Sequence, residues 1–564
     1  MKKILFTTIA ASLLSAAAFS QDYDDYAYDS PSSPAVTVNG EAGVKGRAWL
    51  GHYDEDDEWN SSLSGQDNIK NMLMEGSAYG LLDVNYTGDV SDVNVKLKAD
   101  TSTIKDYPED ILEEATVRGY FGNWVVSGGK MKIVWGKGDK LHVLDNFNAN
   151  DYTDFIFPEY IDRRLAEPMF SLAYSAPNAS NIRLELVATP MMTADRFATS
   201  GALVPNAQKE LTSTVQNIVV NNTLYKLNKD DGSGSAGISS TTGVSSGAFN
   251  AIADASSFSS DDLFENNIKS LKYAQGGARL TGTLSSIDWG FSYYYGHYKQ
   301  PSANLGNYVA SLINAAATDH QAEVAAIAAQ LIAAGYDQAT ATELAVKKVA
   351  STLEHDGTSE LSLPSLDYDR LQTFGFELAT VIWKFNTRAE LAYNLTEDVA
   401  GDNPWVKNNS IAWVGGFDMD LPIHNLNVNV QETGTYILNH DKIGDSKLTY
   451  LSGTAYETSV SLKKYDVDYN SDDNYCINKL VVNVSDKWLH EKLTTECTAI
   501  YGIENKEWCV QPKIEYNPSE GLFLTLSGAY LFSNNENGEF YNFTADNTKS
   551  HRKMFGQIAV KYTF

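Results

Sequence analysis

The sequence predicts an all-β protein: one large antiparallel transmembrane β-barrel of about 16–18 strands, with long loops that include a helical hairpin. Three observations lead to this prediction. Polar and apolar residues alternate along most of the chain. Many alternating runs last roughly 10–14 residues, whereas a soluble strand averages about 5–6. The connections between these runs alternate between short turns and long loops.

Composition narrows the class of protein further. The 564 residues carry 72 acidic and 43 basic side chains, which excludes the basic surface of a nucleic-acid-binding protein. A hydrophobic content of 43% with 11% aromatic residues is too rich for a disordered chain. The sequence therefore indicates an acidic, folded protein.

The N-terminus predicts export. Residues 1–20 contain two lysines, an apolar run and small residues before position 21, which is the pattern of a secretory signal peptide. Residues 21–34 read as an acidic, flexible segment. No later stretch reaches the roughly 18 consecutive apolar residues that a spanning helix needs. The barrel is expected over 35–564, with loop insertions at 139–168, 192–270, 299–367 and 438–473.

The alternation gives each expected strand one apolar and one polar face, because successive strand side chains point to opposite sides. Between 36 and 50, for example, small and apolar residues alternate with a face that carries Glu41, Lys45 and Arg47. A soluble β-sandwich would show the same alternation. The pattern alone therefore leaves both architectures open.

The connections favour the barrel. Eighteen strands are expected, near 35–50, 75–87, 92–101, 112–121, 124–136, 169–176, 180–191, 271–284, 287–298, 368–380, 383–394, 409–420, 424–437, 474–485, 491–502, 507–517, 521–532 and 552–564. Every second connection is short and nearly every other one is long, with 503–506 as the exception. Short turns on one rim and long loops on the other are typical of a membrane barrel. An even strand number puts both chain ends on the short-turn rim.

The last strand carries a family resemblance. Ile558, Val560, Tyr562 and the terminal Phe564 share one face. Here the sequence resembles the outer-membrane β-barrel porins of double-membraned bacteria, whose final strand ends in this way. The resemblance implies an outer-membrane location, contact with outer-membrane lipid, and reading of these four residues by the barrel-assembly machinery. A long Ala-rich insertion departs from a typical porin, so a homo-oligomer is left open.

Two insertions have contrasting compositions. Residues 192–270 are polar and contain a Gly/Ser-rich stretch, which predicts a flexible surface loop. The G-x-S-x-G pattern at 243–247 lacks the strand-to-helix elbow that a nucleophile needs. Residues 306–355 instead have apolar residues at helical spacing. A capping box at Thr318 and Gln321, a stop at Gly335 and a second start at Asp337 predict a helical hairpin.

The insertion at 139–168 is the candidate for a loop that folds into the pore and constricts it. Its acidic and basic side chains are Asp151, Asp154, Glu159, Asp162, Arg163 and Arg164. Carboxylates opposed to guanidinium groups would create a transverse field in such a constriction. The alternative is an exposed loop with ordinary surface ion pairs.

The polar strand face would line a water-filled lumen. Ten basic residues are expected to face it: Lys45, Arg47, Lys96, Lys98, Arg118, Lys132, Arg183, Lys384, Arg388 and Lys513. They outnumber the acids on the same face, so the sequence predicts a weak preference for small anions. The scattered histidines suggest no metal site, and acidic loop runs at 54–58, 230–231 and 472–473 leave calcium binding open.

The predicted function is passive diffusion of small hydrophilic solutes, because 16–18 strands enclose an aqueous channel. One alternative is a surface adhesin or receptor that uses the barrel as a scaffold. A transporter of hydrophobic compounds would need an N-terminal plug, and residues 21–34 are too short and polar for one. No nucleophile–base arrangement stands out, so neither catalysis nor a cofactor is expected.

Overall fold

The computed structural model describes most of the expected barrel and parts of its insertions. The described residues are 35–53, 72–177, 180–199, 202–230, 238–239, 243–244, 267–350, 352–353, 357–401, 403, 405–440, 475–533, 535, 538–541 and 552–564. Outside them lie the predicted signal peptide at 1–20, the acidic segment 21–34, the acidic runs 54–58 and 472–473, residue 231, and residues 245–247 of the G-x-S-x-G pattern.

Eighteen strands form one closed antiparallel sheet in this part of the chain. They are β1 (Ala35–Tyr53), β2 (Met72–Thr87), β3 (Ser91–Asp100), β4 (Leu112–Phe121), β5 (Trp124–Met131), β6 (Glu167–Ser175), β7 (Arg183–Thr189), β8 (Gln275–Leu284), β9 (Ile287–His297), β10 (Arg370–Ile382), β11 (Phe385–Leu395), β12 (Ser410–Asp420), β13 (Asn427–Ile437), β14 (Cys476–Trp488), β15 (Leu493–Gly502), β16 (Glu507–Ser519), β17 (Leu522–Phe532) and β18 (Arg552–Thr563). Each strand pairs with its neighbours in sequence, and β18 pairs with β1 to close the ring.

The closed ring confirms the predicted barrel. All eighteen strands lie where the alternation placed them, although β5 ends at Met131 instead of near 136. Large apolar side chains are exposed on the outer face; Val36, Val44 and Ile558 are 65%, 55% and 66% exposed. Closure leaves no sheet edge and pairs the strand backbones, which is the condition for a sheet to cross a lipid bilayer. The architecture is therefore a transmembrane β-barrel.

The connections are sorted between the two rims as the sequence predicted. Short turns join β2–β3, β4–β5, β6–β7, β8–β9, β10–β11, β12–β13, β14–β15 and β16–β17. The remaining connections lie on the opposite rim and are long, apart from 503–506. Ala35 pairs with Thr87 beside a short turn, and Thr563 pairs with Glu41 on the same rim. Both ends of the barrel therefore meet at the short-turn rim.

Helices lie in the long loops. They are α1 (Thr101–Lys105), α2 (Tyr160–Arg163), α3 (Asn206–Asp230), α4 (Gly306–Asp319), α5 (Gln321–Ala333) and α6 (Gln338–Ala350). The last four pack around one apolar core and are called the helical cap below. The buried residues of that core are Leu211, Val215, Ile218, Leu305, Tyr308, Val309, Leu312, Ala315, Ala316, Val324, Ala328, Ala345, Val349, Ala350, Leu353, Leu361 and Leu366. Among the described residues, no helix is long and apolar enough to cross a membrane.

The cap corrects two predictions. The expected hairpin is a set of three helices, joined by α3 from the neighbouring insertion. The prediction of a flexible loop is wrong for α3, since Leu211, Val215 and Ile218 repeat at helical spacing and are buried against the other insertion.

The helix boundaries are partly as predicted. The capping box is wrong: Thr318 lies in the last turn of α4, where its hydroxyl donates to the carbonyl oxygen of Asn314 at 2.8 Å. Gly335 does end a helix, with a φ of 102° that a glycine adopts without strain. Asp337 begins α6, because its Oδ1 accepts from the backbone N–H groups of Ala339 and Thr340, both at 3.0 Å.

Candidate functional site

The connection between β5 and β6, residues 132–166, lies inside the barrel and is called the crossing segment below. Its contacts include inward-facing side chains of the following eight strands. The pairs are Trp135 with Glu185 (β7), Gly136 with Arg279 (β8), Lys137 with Asp288 (β9), Gly138 with Glu390 (β11), Asp139 with Asn429 (β13), Lys140 with Glu496 (β15), Glu159 with Lys513 (β16) and Asp154 with Arg47 (β1). Because these strands come from different sides of the wall, the segment spans the lumen and narrows it.

One buried carboxylate holds the first half of the crossing segment. Glu390 on β11 is 2% exposed. Its Oε1 accepts from Gly138 N at 2.6 Å, and its Oε2 accepts from Val143 N at 2.8 Å and Leu144 N at 3.3 Å. His142 Nδ1 lies 3.0 Å from Oε1. One wall residue therefore satisfies three backbone donors of the segment.

A second anchor lies on β1. Asp154 accepts from Arg47 Nη1 at 2.5 Å and Nη2 at 3.0 Å, and from Lys45 Nζ at 3.0 Å. Burial acts to raise the pKa of Asp154, but the charges and hydrogen bonds of Lys45 and Arg47 outweigh it and hold the pKa below its usual value. Phe155 and Phe157 pack beside this pair on an apolar cluster with Trp49. Charge and apolar contact thus fix the second half of the segment.

A third group of contacts is internal to the segment. Arg164 is 3% exposed, and its Nη2 donates to Asp145 Oδ1 at 2.7 Å. The hydroxyl of Tyr160 donates to Asp145 Oδ2 at 2.5 Å. Burial raises the pKa of Asp145 above its usual value. This buried pair stabilises the fold of the segment and presents no net charge to the lumen.

The structure therefore separates the six predicted constriction residues. Asp154 and Arg164 are in buried pairs, as described above. Asp151 accepts from the backbone N–H and hydroxyl of Thr153, at 2.9 and 2.6 Å. The guanidinium of Arg163 lies 5.8 Å from the ring centroid of Tyr160. Glu159 and Asp162, at the start of α2, are the two that are exposed.

Most of the predicted lumen-facing bases are in ion pairs. Besides those named above, the pairs are Lys96 with Glu114 (3.4 Å), Lys132 with Glu113 (2.8 Å), Arg183 with Glu185 (3.9 Å), Arg388 with Asp139 and Asp418 (3.4 Å each), and Lys513 with Glu159 (3.9 Å) and Glu496 (4.0 Å). Within the described residues, Lys98 and Arg118 have no carboxylate at ion-pair distance. Ion pairs within the wall and with the crossing segment therefore neutralise most of the predicted basic excess.

Lys384 corrects the predicted lining. It lies in the exposed two-residue turn between β10 and β11, because β11 begins at Phe385. Its Nζ sits 5.4 Å from the ring centroid of Trp383. The side chain therefore belongs to the short-turn rim and not to the strand wall.

The C-terminal residues lie at the seam between β18 and β1. Ile558, Val560 and Tyr562 are exposed on the outer face, whereas Phe564 is buried. Phe564 and Gly40 exchange two backbone hydrogen bonds, at 2.8 and 2.9 Å. The ring of Phe564 covers Gly40, where a Cβ would overlap it. A larger residue at position 40 would therefore have to displace the ring of the terminal phenylalanine.

Sequence reasoning missed the anchoring role of Glu390 and the buried position of Arg164. Glu390 follows the same alternation as other acids of the polar face, and the backbone donors it binds lie some 250 positions away. Among the described residues, no group of three or more His, Cys, Asp or Glu side chains could hold a metal ion.

These features define the class of protein. A closed antiparallel barrel with an apolar outer face, a polar interior and loops sorted between two rims has the architecture of a transmembrane β-barrel. The resemblance first indicated by the last strand therefore extends to the whole described barrel.

Of the comparisons with known proteins, the one with solved structures finds similar chains. No protein-family model and no curated protein sequence matches the chain significantly. Among solved structures, it is similar to the outer membrane channel DcaP of Acinetobacter baumannii, at 10% identity and a TM-score of 0.34, covering 95% of this chain and 99% of that one. OpdO of Pseudomonas aeruginosa matches at 8% identity and a TM-score of 0.39, over 93% and 97% of the two chains. These scores are too low to establish a shared fold, so the class rests on the strand pairing of this chain.

Proposed function

We propose that the protein is an outer-membrane channel through which small hydrophilic solutes diffuse passively. The observation that carries this proposal is the closed eighteen-stranded wall with charged and polar side chains on its inner face. A barrel of about 16–18 strands leaves an aqueous channel, whereas one of eight strands is filled by its own side chains. The crossing segment would act as the constriction that limits solute size.

Selectivity for charge is proposed to be weak, with small anions tolerated. Lys98 and Arg118 supply positive charge without a carboxylate at ion-pair distance among the described residues, while exposed Asp162 on α2 supplies negative charge. The other predicted bases are largely offset by their partners. Opposing and nearly balanced charges favour passage of both ion types over strong exclusion of either.

Location and assembly follow from the same barrel. We propose export through the signal peptide at 1–20 and insertion into the outer membrane, with the long loops on the cell surface. The face formed by Ile558, Val560, Tyr562 and Phe564 is the proposed signal for the barrel-assembly machinery.

The helical cap favours a second candidate, a surface receptor or adhesin. Its four helices share a buried core that includes Val215, Leu312 and Val349. A packed core in the loops provides a folded surface that a simple channel does not need. In that case the barrel would serve as the scaffold.

Single-channel recording tests the proposal. The purified, detergent-folded protein is inserted into planar lipid bilayers, and reversal potentials are measured in a salt gradient. Discrete conductance steps with a small reversal potential are expected. Absence of steps would overturn the channel and favour the receptor, and a strong cation preference would overturn the anion tolerance.

A further inference from the structure

A polar cavity of about 160 Å³ lies between the crossing segment and the wall near the long-loop rim. It is lined by Asp145 and Asn146 of the segment, by Asp195 after β7, by Lys299 and Gln300 after β9, and by Asn394 at the end of β11. One water needs about 10–15 Å³ of such volume. The cavity is therefore large enough for roughly ten waters or for one solute of monosaccharide size.

Several polar groups of the lining already have partners. Asp195 Oδ1 accepts from Asn150 N at 2.7 Å. Lys299 Nζ donates to Gln275 Oε1 at 2.7 Å. Asn394 accepts from the Thr373 hydroxyl and donates to the Ser410 hydroxyl, at 2.8 and 3.2 Å. These groups form the frame of the cavity.

Two amide atoms of the lining are buried and have no hydrogen-bond partner among the described residues: Asn146 Nδ2 and Gln300 Oε1. The first is a donor. The second is an acceptor, because it is an amide oxygen. Buried polar groups need partners, so these two atoms call for a molecule that both accepts and donates hydrogen bonds. A hydroxyl group does both.

The charges around the cavity disfavour an ionic ligand. Asp145 is paired with Arg164 at 2.7 Å, and Lys299 lies 3.5 Å from Glu167. Asp195 is the third carboxylate, and the positive charges of Arg164 and Lys299 act on it. An anion would meet this carboxylate, whereas a cation would meet Arg164 and Lys299.

We propose that this cavity binds a small uncharged polyhydroxylated solute, whose hydroxyl groups accept from Asn146 and donate to Gln300. The inference rests on the proposed channel and names its substrate class: neutral solutes of monosaccharide size that pause at the mouth of the lumen. It differs from general diffusion because it requires a defined hydrogen-bonding site.

Saturation-transfer NMR on the full-length, detergent-folded protein tests the site, with D-glucose as the neutral probe and gluconate as the charged one. Transfer to glucose but not to gluconate is expected. Asn146→Leu removes the unpaired donor while keeping the branching and the number of side-chain heavy atoms, and should weaken glucose binding by about three- to tenfold, as expected for one neutral hydrogen bond. Asn85→Leu, on the lumen wall of β2, is the matched control and should leave glucose binding unchanged.

Each outcome decides the proposal. No transfer to glucose in the wild type means that the cavity holds water only, and equal transfer in Asn146→Leu means that glucose binds elsewhere; either result overturns the site. Stronger transfer to gluconate overturns the neutral class of ligand. Conductance recorded on the same preparation separates the two proposals. Conductance steps without glucose binding refute the site alone. Glucose binding without conductance steps refutes the channel alone.

Discussion

Glu390→Gln is the sharpest perturbation of the lumen, since one carboxylate holds the first half of the crossing segment. The substitution keeps one acceptor oxygen and replaces the other with an NH₂ group. Either Gly138, or Val143 and Leu144 together, would then face a donor instead of an acceptor. We expect the segment to detach part of the time and the channel to open more widely.

The magnitude follows from the contacts. In the orientation that keeps the Gly138 bond, two backbone hydrogen bonds to a charged acceptor are lost, at 2.8 and 3.3 Å. Bonds to charged groups contribute about 1.5–3 kcal/mol each, but losses within one network do not add fully, so about 2–4 kcal/mol is expected. That corresponds to a change of about 30- to 1,000-fold in the ratio of docked to detached segment.

Single-channel recording measures this effect. The variant is expected to show a higher mean conductance and frequent transitions between two levels. Glu114→Gln is the matched control: it removes the same charge from the lumen wall but faces Lys96 on the neighbouring strand at 3.4 Å and does not contact the segment. A conductance rise of equal size in both variants would show that lumen charge, and not docking of the segment, sets the current, and would refute the reasoning.

Three further substitutions test the cap, a buried acid and the seam. Leu312→Ala removes a fully buried side chain and should destabilise the helical cap by about 2–5 kcal/mol. Limited proteolysis should therefore show faster cleavage of the cap. Ile332 is 46% exposed, so the control Ile332→Ala should match the wild type. Burial raises the pKa of Asp195 to about 6. The state with the crossing segment docked binds this proton more tightly than the detached state, so docking of the segment should strengthen by about 1 kcal/mol between pH 7 and pH 5. Fluctuations of the single-channel current should decline over that range. Unchanged fluctuations, or an equal decline in Asp195→Asn, would contradict this. Gly40→Val should displace the terminal phenylalanine and lower the temperature at which the barrel loses its folded gel mobility, whereas Gly46→Val, with open space around it, should not.

The strands could be predicted from the sequence because each one satisfies a local rule. Apolar side chains must face lipid at every second position, so alternation marks the strand wherever it runs, as in Val36 and Val44. The length of each connection then assigns it to one of the two rims, and this assignment does not depend on contacts between residues distant in sequence. Even so, the local rule fails at strand ends, where Lys384 continues the alternation into a turn.

The lumen could not be predicted to the same depth. The polar face shows that Glu390 points inward, but its partners are backbone groups of a segment that is remote in sequence. Arg164 and Asp145 are separated by 19 positions, yet their burial depends on the barrel that encloses them. The helix at 206–230 was overlooked because its apolar residues are few and become buried only against another insertion.

The anchoring of the crossing segment constrains the order in which the molecule is built. Lys140 and Glu496 meet across 356 positions of sequence, and Asp154 is bound by the first strand, which itself pairs with the last. A nascent or partly inserted sheet lacks several of these partners. The segment therefore cannot make all of its final contacts until the wall has closed around it.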